Sequence, residues 1–220
     1  MDAATQIRDP ERSRKVLKQV GREVFAEYGF EGARTREIGA RAALNKAMIS
    51  YHFGGKQGLF TEILLEDIRG ARARFSEAVG SGGSSAERLA AFVEALGRLA
   101  EERPLFLKML SRELLDAGRH LEPEVEEEFF GFFGLVREVL VQGVARGEFR
   151  AVDPHATHIG LVGGLVWFAL TAPLREHLER EGRSPAPSPT WAAYVKHYRE
   201  FVLRGLASSD SPARESGGNA

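Results

Sequence analysis

The chain contains no cysteine, which excludes disulfides, thiolate catalysis and Cys-ligated zinc. It can therefore work in a reducing compartment, with the cytoplasm as the expected location. Long apolar runs are also missing. The most apolar stretch, Leu161 to Leu170, is about half of the ~20 residues needed to span a bilayer, and the N-terminus MDAATQIRDPERSRK lacks the apolar centre of a signal peptide. No membrane partner is expected. Nor does one sign of charge dominate, since 30 Lys and Arg stand against 31 Asp and Glu in 220 residues, so overall charge gives no support for a polyanionic partner. Strand signals are nearly absent, with no sustained period-2 alternation and no Asn-Gly or Asp-Gly hairpin between β-branched runs.

What is present is helical periodicity and a local charge bias. Hydrophobic residues make up 43% of the chain, enough for a substantial core. Residues 1 to 56 carry 11 basic and 7 acidic side chains, which leaves 19 against 24 in the remainder. The basic character is concentrated in the first quarter. From Pro10 to Tyr28, Val16, Leu17, Val20, Val24 and Phe25 recur on one face, and Gly29 ends the helix. Thr35 is placed to cap a second short helix, Arg36 to Ala42, and a third runs from Asn45 to about Phe53. A long segment from Lys56 to Val79 follows, then GSGGSS at 80 to 85 breaks the pattern. Five more helices are expected: Ala86 to Glu101, Pro104 to about Ala117, Pro123 to Arg146, Ala156 to about Arg180, and Trp191 to Ala207. The fold class is all-α, about nine helices, with a small basic unit at 10–56, a larger unit at 57–207 and an expected disordered polar tail at 208–220.

Residues 34 to 56, RTREIGARAALNKAMISYHFGGK, set two short helices around a turn of about three residues. That is the layout of a helix-turn-helix, whose second helix enters the DNA major groove. Ile38, Ala42, Leu44 and Ile49 would lock the two helices together, and Ala43 is small enough for the turn. Lys46, Ala47, Met48, Ser50 and Tyr51 would then face outward.

With these residues in view, positions 11 to 64 resemble the DNA-binding region of the tetracycline-repressor (TetR) family of transcriptional regulators. The signature TREIGARAALNKAMISYHFGGKQGLF shares that family's capped helix, small residue and aliphatic at the turn, Tyr-His-Phe ending and lysine opening the fourth helix. The resemblance implies that Thr35 binds phosphate through its hydroxyl and backbone N–H, and that Arg36 reaches a base edge or a phosphate. It places Lys46, Ala47 and Met48 at bases, with Lys46 on guanine and Ala47 or Met48 on a thymine methyl. Tyr51, His52 and Lys56 resemble a phosphate clamp. Asn45 stands where Ser is frequent and serves as a cap, and Ser50 stands where many members have Tyr.

Aromatic density marks the larger unit. Phe92, Phe106, Phe129, Phe130, Phe133, Trp167 and Phe168, with Met109, suit an apolar effector pocket, although core filling accounts for any one of them alone. By resemblance this unit binds a small hydrophobic or aromatic effector, with a polar anchor available from Arg103, Lys108, Arg112, Glu113 or His120. The segment HIGLVGGLVWFAL carries Gly160, Gly163 and Gly164, and the last helix carries Trp191, Tyr194, Tyr198 and Phe201. The resemblance makes these two helices the interface of a homodimer, Pro173 kinking or shortening the first, and a twofold dimer would read a pseudo-palindromic operator.

Other constellations carry less. Asp153, His155 and His158 read as a cap and polar first-turn residues rather than a metal site. The acids of EPEVEEE suit a helix start. No Gly-rich phosphate loop or nucleophile elbow is present, so no cofactor and no catalysis are expected. A helical bundle that binds a small molecule and retains a vestigial helix-turn-helix is the alternative to a regulator.

Overall fold

The structure, a computed structural model, describes residues 9–80 and 82–208. Ten helices make up its regular structure: α1 (Pro10–Gly32), α2 (Thr35–Arg41), α3 (Ala47–Phe53), α4 (Lys56–Val79), α5 (Ser85–Glu102), α6 (Pro104–Leu115), α7 (Pro123–Ala145), α8 (Pro154–Leu170), α9 (Ala172–Arg180) and α10 (Trp191–Leu206). Among the described residues the only strand-like pairing is an isolated antiparallel bridge between Phe149 and Ala207. Of the expected tail, all but Ser208 lies outside the described part of the chain.

The tenth helix arises where one was expected to continue. Pro173 has no N–H to donate to Ala169 O, so the segment breaks at Thr171, whose N–H and hydroxyl both donate to Trp167 O, at 3.0 and 2.7 Å. The α8 and α9 axes differ by 41°. Gly29 stops the regular turns of α1 as its position suggests, with non-helical torsions of φ 72° and ψ 178°, and the helical residues to Gly32 follow beyond that kink. Asp9 caps α1 by accepting from Arg12 N, and Asp153 caps α8 by accepting from Ala156 N. No single helix among the described residues is long and apolar enough to cross a membrane.

The chain packs as two compact units. One holds the residues up to Ala73 together with Glu101–Gly131, and the other holds Arg74–Ala100 together with the residues from Phe132 onward. This packing division is a different partition from the functional boundary expected near residue 56, because α6 packs along α1 in the first unit. The core of the first unit includes Leu17, Val24, Phe25, Ile38, Ile49, Leu59, Phe60 and Ile63. Phe25, Phe30 and Phe60 meet there at ring separations of 4.9 to 6.1 Å. In the second unit Phe75 packs on Phe92 and Phe132, and Leu89, Val93, Leu96 and Leu99 bury the face of α5 that the periodicity indicates.

Candidate nucleic-acid interface

The helix-turn-helix is held from beneath by two aliphatic side chains. Ile38 of α2 and Ile49 of α3 are fully buried, while Ala42 and Leu44 are half-buried. Ala43 turns the chain in the left-handed region at φ 53°. At Gly39 the turn backbone comes so close to α2 that a Cβ would lie 3.0 Å from Leu44 O and 3.1 Å from Lys46 N. Asn45 Oδ1 accepts from Ala47 N at 2.9 Å, the expected cap of α3. Gly54, at φ 72°, closes its other end. Thr35 departs from expectation: it is the first residue of α2, Arg34 holds the N-cap position, and no side chain caps that helix.

The sequence-derived contacts lie as follows. Arg36, Asn45, Lys46, Ala47, Ser50 and Tyr51 are exposed, Thr35, Met48 and His52 are half-buried, and Tyr51 keeps 75% of its surface accessible. His52 stacks edge-on with Tyr51, but its Nε2 is enclosed without a hydrogen-bond partner. Lys56 is drawn inward. Its ammonium donates to Phe30 O at 2.9 Å and Ala33 O at 3.3 Å and lies 4.2 Å from the Phe30 ring centre. An ammonium so held would leave three partners to reach a phosphate.

Which cations are free decides what the surface can do. On α1, Arg14 pairs with Glu62, Lys18 with Glu62 and Glu66, and Arg22 with Glu66 and Asp67. Arg41 is engaged by Glu27 and Glu37. Among the described residues before Lys56, the basic side chains without a partner are therefore Arg12, Lys15, Arg34, Arg36 and Lys46. Three of these five open α2 and α3. Burial opposes the charge on Glu66, yet hydrogen bonds from Lys18 and Arg22 hold its carboxyl below the ordinary range.

Arg14 and Glu62 are functional candidates that the sequence reading missed. Arg14 Nη1 donates to His52 O at 2.8 Å, and its guanidinium sits 4.9 Å from the Phe53 ring centre. Residues 48 apart in sequence, on two separate amphipathic helices, carry no local spacing signal for this. Glu113 and His120, two of the candidate polar anchors, meet across the α6–α7 turn, with His120 Nδ1 3.1 Å from Glu113 Oε2 and its Nε2 3.0 Å from Glu31 Oε1. Beside them lies a groove of about 330 Å³ lined in part by Tyr28, Glu31, Arg112 and Leu115.

The expected pocket residues are divided between the units. Phe106 and Met109 are buried in the first, where Phe129 packs on a largely exposed Phe130. In the second, Phe92 belongs to the core cluster, Phe133 packs against His155 and His158, and Trp167 is 71% exposed. Burial, aided by His155, pushes the His158 imidazole below its ordinary value. No group of three or more metal-binding side chains occurs among the described residues.

The glycines of α8 divide their roles. Gly164 O accepts from Tyr194 Oη at 3.1 Å and Gly160 O accepts from Tyr198 Oη at 2.5 Å. A Cβ at Gly164 would lie 2.6 Å from the Tyr198 ring, whereas one at Gly163 or Gly160 would meet nothing within 4 Å. Phe168 stacks face to face on Tyr194 at 3.8 Å, and Trp191 Nε1 donates to Gly97 O. Ile159, Trp167, Leu170, Leu174 and Phe201 stay exposed.

Comparison with known proteins matches residues 19–63 to the model of bacterial regulatory proteins of the tetR family, and residues 82–170 to a tetracyclin repressor-like C-terminal domain. The HTH-type transcriptional repressor NicS of Pseudomonas putida is 27% identical over 204 residues, covering 89% of this chain and 93% of NicS. The HTH-type transcriptional repressor AcnR of Corynebacterium glutamicum is 35% identical over 74 residues, covering 34% of this chain and only 37% of AcnR's own length. A bacterial regulatory protein of the tetR family from Rhodococcus RHA1 superposes with a TM-score of 0.75 at 20% identity, over 91% of this chain and all of that one. That likeness is one of fold. The two family models together match more than half of the chain, and the family they describe is not enzymatic. The chain belongs to the TetR family of helix-turn-helix transcriptional regulators.

Proposed function

We propose that the chain is a repressor that binds a pseudo-palindromic operator as a homodimer and is released by a small hydrophobic or aromatic effector. The observation that carries the DNA-binding part is the set of unpaired cations Arg34, Arg36 and Lys46 at the starts of α2 and α3, in a unit whose other cations are mostly tied to acids or carbonyls. Side chains left free there are available to phosphates and base edges. Thr35, Arg36, Lys46, Ala47, Met48, Ser50 and Tyr51 form the contact surface, with Asn45 holding the start of α3. His52 and Lys56 join them only if their side chains turn outward. The repressor reading is supported by the resemblance to NicS along nearly its whole length. The cytoplasm is the matching location.

The exposed face of Ile159, Gly163, Trp167 and Phe201 supports the dimer, and the aromatic side chains of the second unit support an apolar effector. The effector acts by binding the DNA-competent and DNA-released conformations with different free energies. The test is to select duplexes from a random-sequence library with the full chain, then compare variants on the selected site. Lys46→Ala should lower selectivity at one position of each half-site by roughly 10-fold or more, the ~1–3 kcal/mol of a base contact. Affinity should fall steeply with salt. No enriched sequence in the selection would refute the regulator reading in favour of a ligand-binding bundle.

A further inference from the structure

The recognition helix α3 is seven residues long and has one fully buried side chain, Ile49. So short a helix does not hold itself in place. Lys46 lies three residues from that pivot, so a ~20° tilt would move it by roughly 1.5 Å at 1.5 Å rise per residue, enough to lose a base-edge hydrogen bond. Something must fix the far end.

We propose that Arg14 is a positioning residue that sets the angle at which α3 is presented to DNA, with Glu62 aiming it. One guanidinium joins three helices. From α1 it donates Nη1 to His52 O, an otherwise open carbonyl of the last turn of α3, and lies over the Phe53 ring. Glu62 of α4 takes the other edge in a bidentate pair, through Nε at 3.1 Å and through Nη2. The positive group also faces the negative end of the α3 dipole. A lysine could supply the charge but not the fork, and so could satisfy His52 O or Glu62 without fixing both.

The rival role for a half-exposed arginine is direct contact with a phosphate, and Glu62 separates the two. An acid near DNA repels phosphate, so if Arg14 were a phosphate ligand, Glu62→Gln would strengthen both operator and random-sequence binding. If Arg14 positions α3, Glu62→Gln weakens operator binding while random-sequence binding and the salt slope hold. The proposal rests on the DNA-binding reading above. The experiment measures affinity of the full chain for the selected operator and for random duplex at several salt concentrations, with thermal melts to establish folding.

Arg14→Lys and Glu62→Gln should each cut the operator-to-random ratio about 10-fold, equivalent to ~1.4 kcal/mol, without changing the salt slope. Glu66→Gln removes an acid from the same ionic seam, a partner of Lys18 and Arg22 but not of Arg14, and should keep the ratio within about 2-fold. Retention of the ratio in Glu62→Gln and Arg14→Lys overturns the proposal, as does an equal loss in Glu66→Gln, which would make the seam a general stabiliser. A wild-type chain that selects no sequence would remove the proposal together with the DNA-binding reading, an outcome distinct from selective wild-type binding with unaltered variants.

Discussion

Ala43 carries the turn of the helix-turn-helix at φ 53° with a Cβ attached. The left-handed region costs an L-residue about 1–2 kcal/mol, whereas glycine adopts it freely but gives the unfolded chain about 0.4–1 kcal/mol more entropy to lose. Ala43→Gly should therefore stabilise the protein by roughly 0.5–1 kcal/mol, seen as a higher urea midpoint with an unchanged slope. Ala43→Val should lower the midpoint, because branching is poorly tolerated there. At this scale much was legible: Ile38 and Ile49 are in the core, Asn45 caps α3 and Lys46 is exposed, all consequences of short-range spacing. Thr35 and Lys56 show the limit. Whether Thr35 is a cap or the first helical residue depends on one backbone torsion, and the inward turn of Lys56 depends on Phe30 and Ala33 carbonyls more than 20 residues away.

Between elements, α8 and α10 are stitched by two tyrosine hydroxyls reaching glycine carbonyls. Tyr198 is held protonated, its value pushed up to about 12 by burial and then by Tyr194. Gly160 and Gly164, expected at a dimer interface for their small size, each accept at their carbonyl a hydrogen bond from a tyrosine of their own chain. Only the tertiary arrangement separates a glycine that admits a ring from one facing open space. Gly164→Ala forces a methyl into the Tyr198 ring and should cost about 1–3 kcal/mol, read as a lower melting temperature. Gly163→Ala meets nothing in the chain and should leave monomer stability equal or higher by up to ~1 kcal/mol. A loss of stability in Gly163→Ala comparable to that of Gly164→Ala would contradict this division.

For the whole molecule, a near-neutral total conceals an economy of charge. Arg14, Lys18 and Arg22 of α1 are paired with acids of α4, so the basic excess of the first 56 residues reaches solvent at only a few places. The two compact units are each discontinuous in sequence, and α4, α5 and α7 each contribute residues to both. Exposed Trp167 and Phe201 are what a self-complementary apolar face requires. If that face forms the proposed homodimer, Phe201→Glu should shift sedimentation at micromolar concentration from dimer to monomer, and should weaken binding to the proposed operator by at least 10-fold through loss of the second half-site. A variant that sediments like the parent would place the interface elsewhere.

The sequence by itself determined the helical class, nearly all helix positions, the helix-turn-helix and the family, because each rests on periodicities and spacings within a few dozen residues. Only the tertiary structure decided that Arg14 reaches the end of α3, that Lys56 turns inward, that Glu113 and Glu31 bracket His120, and that the expected pocket aromatics fall in two units. Those outcomes depend on which faces of distant helices meet. Amphipathic periodicity says that a face is buried, but many pairings bury the same area, and packing geometry chooses among them.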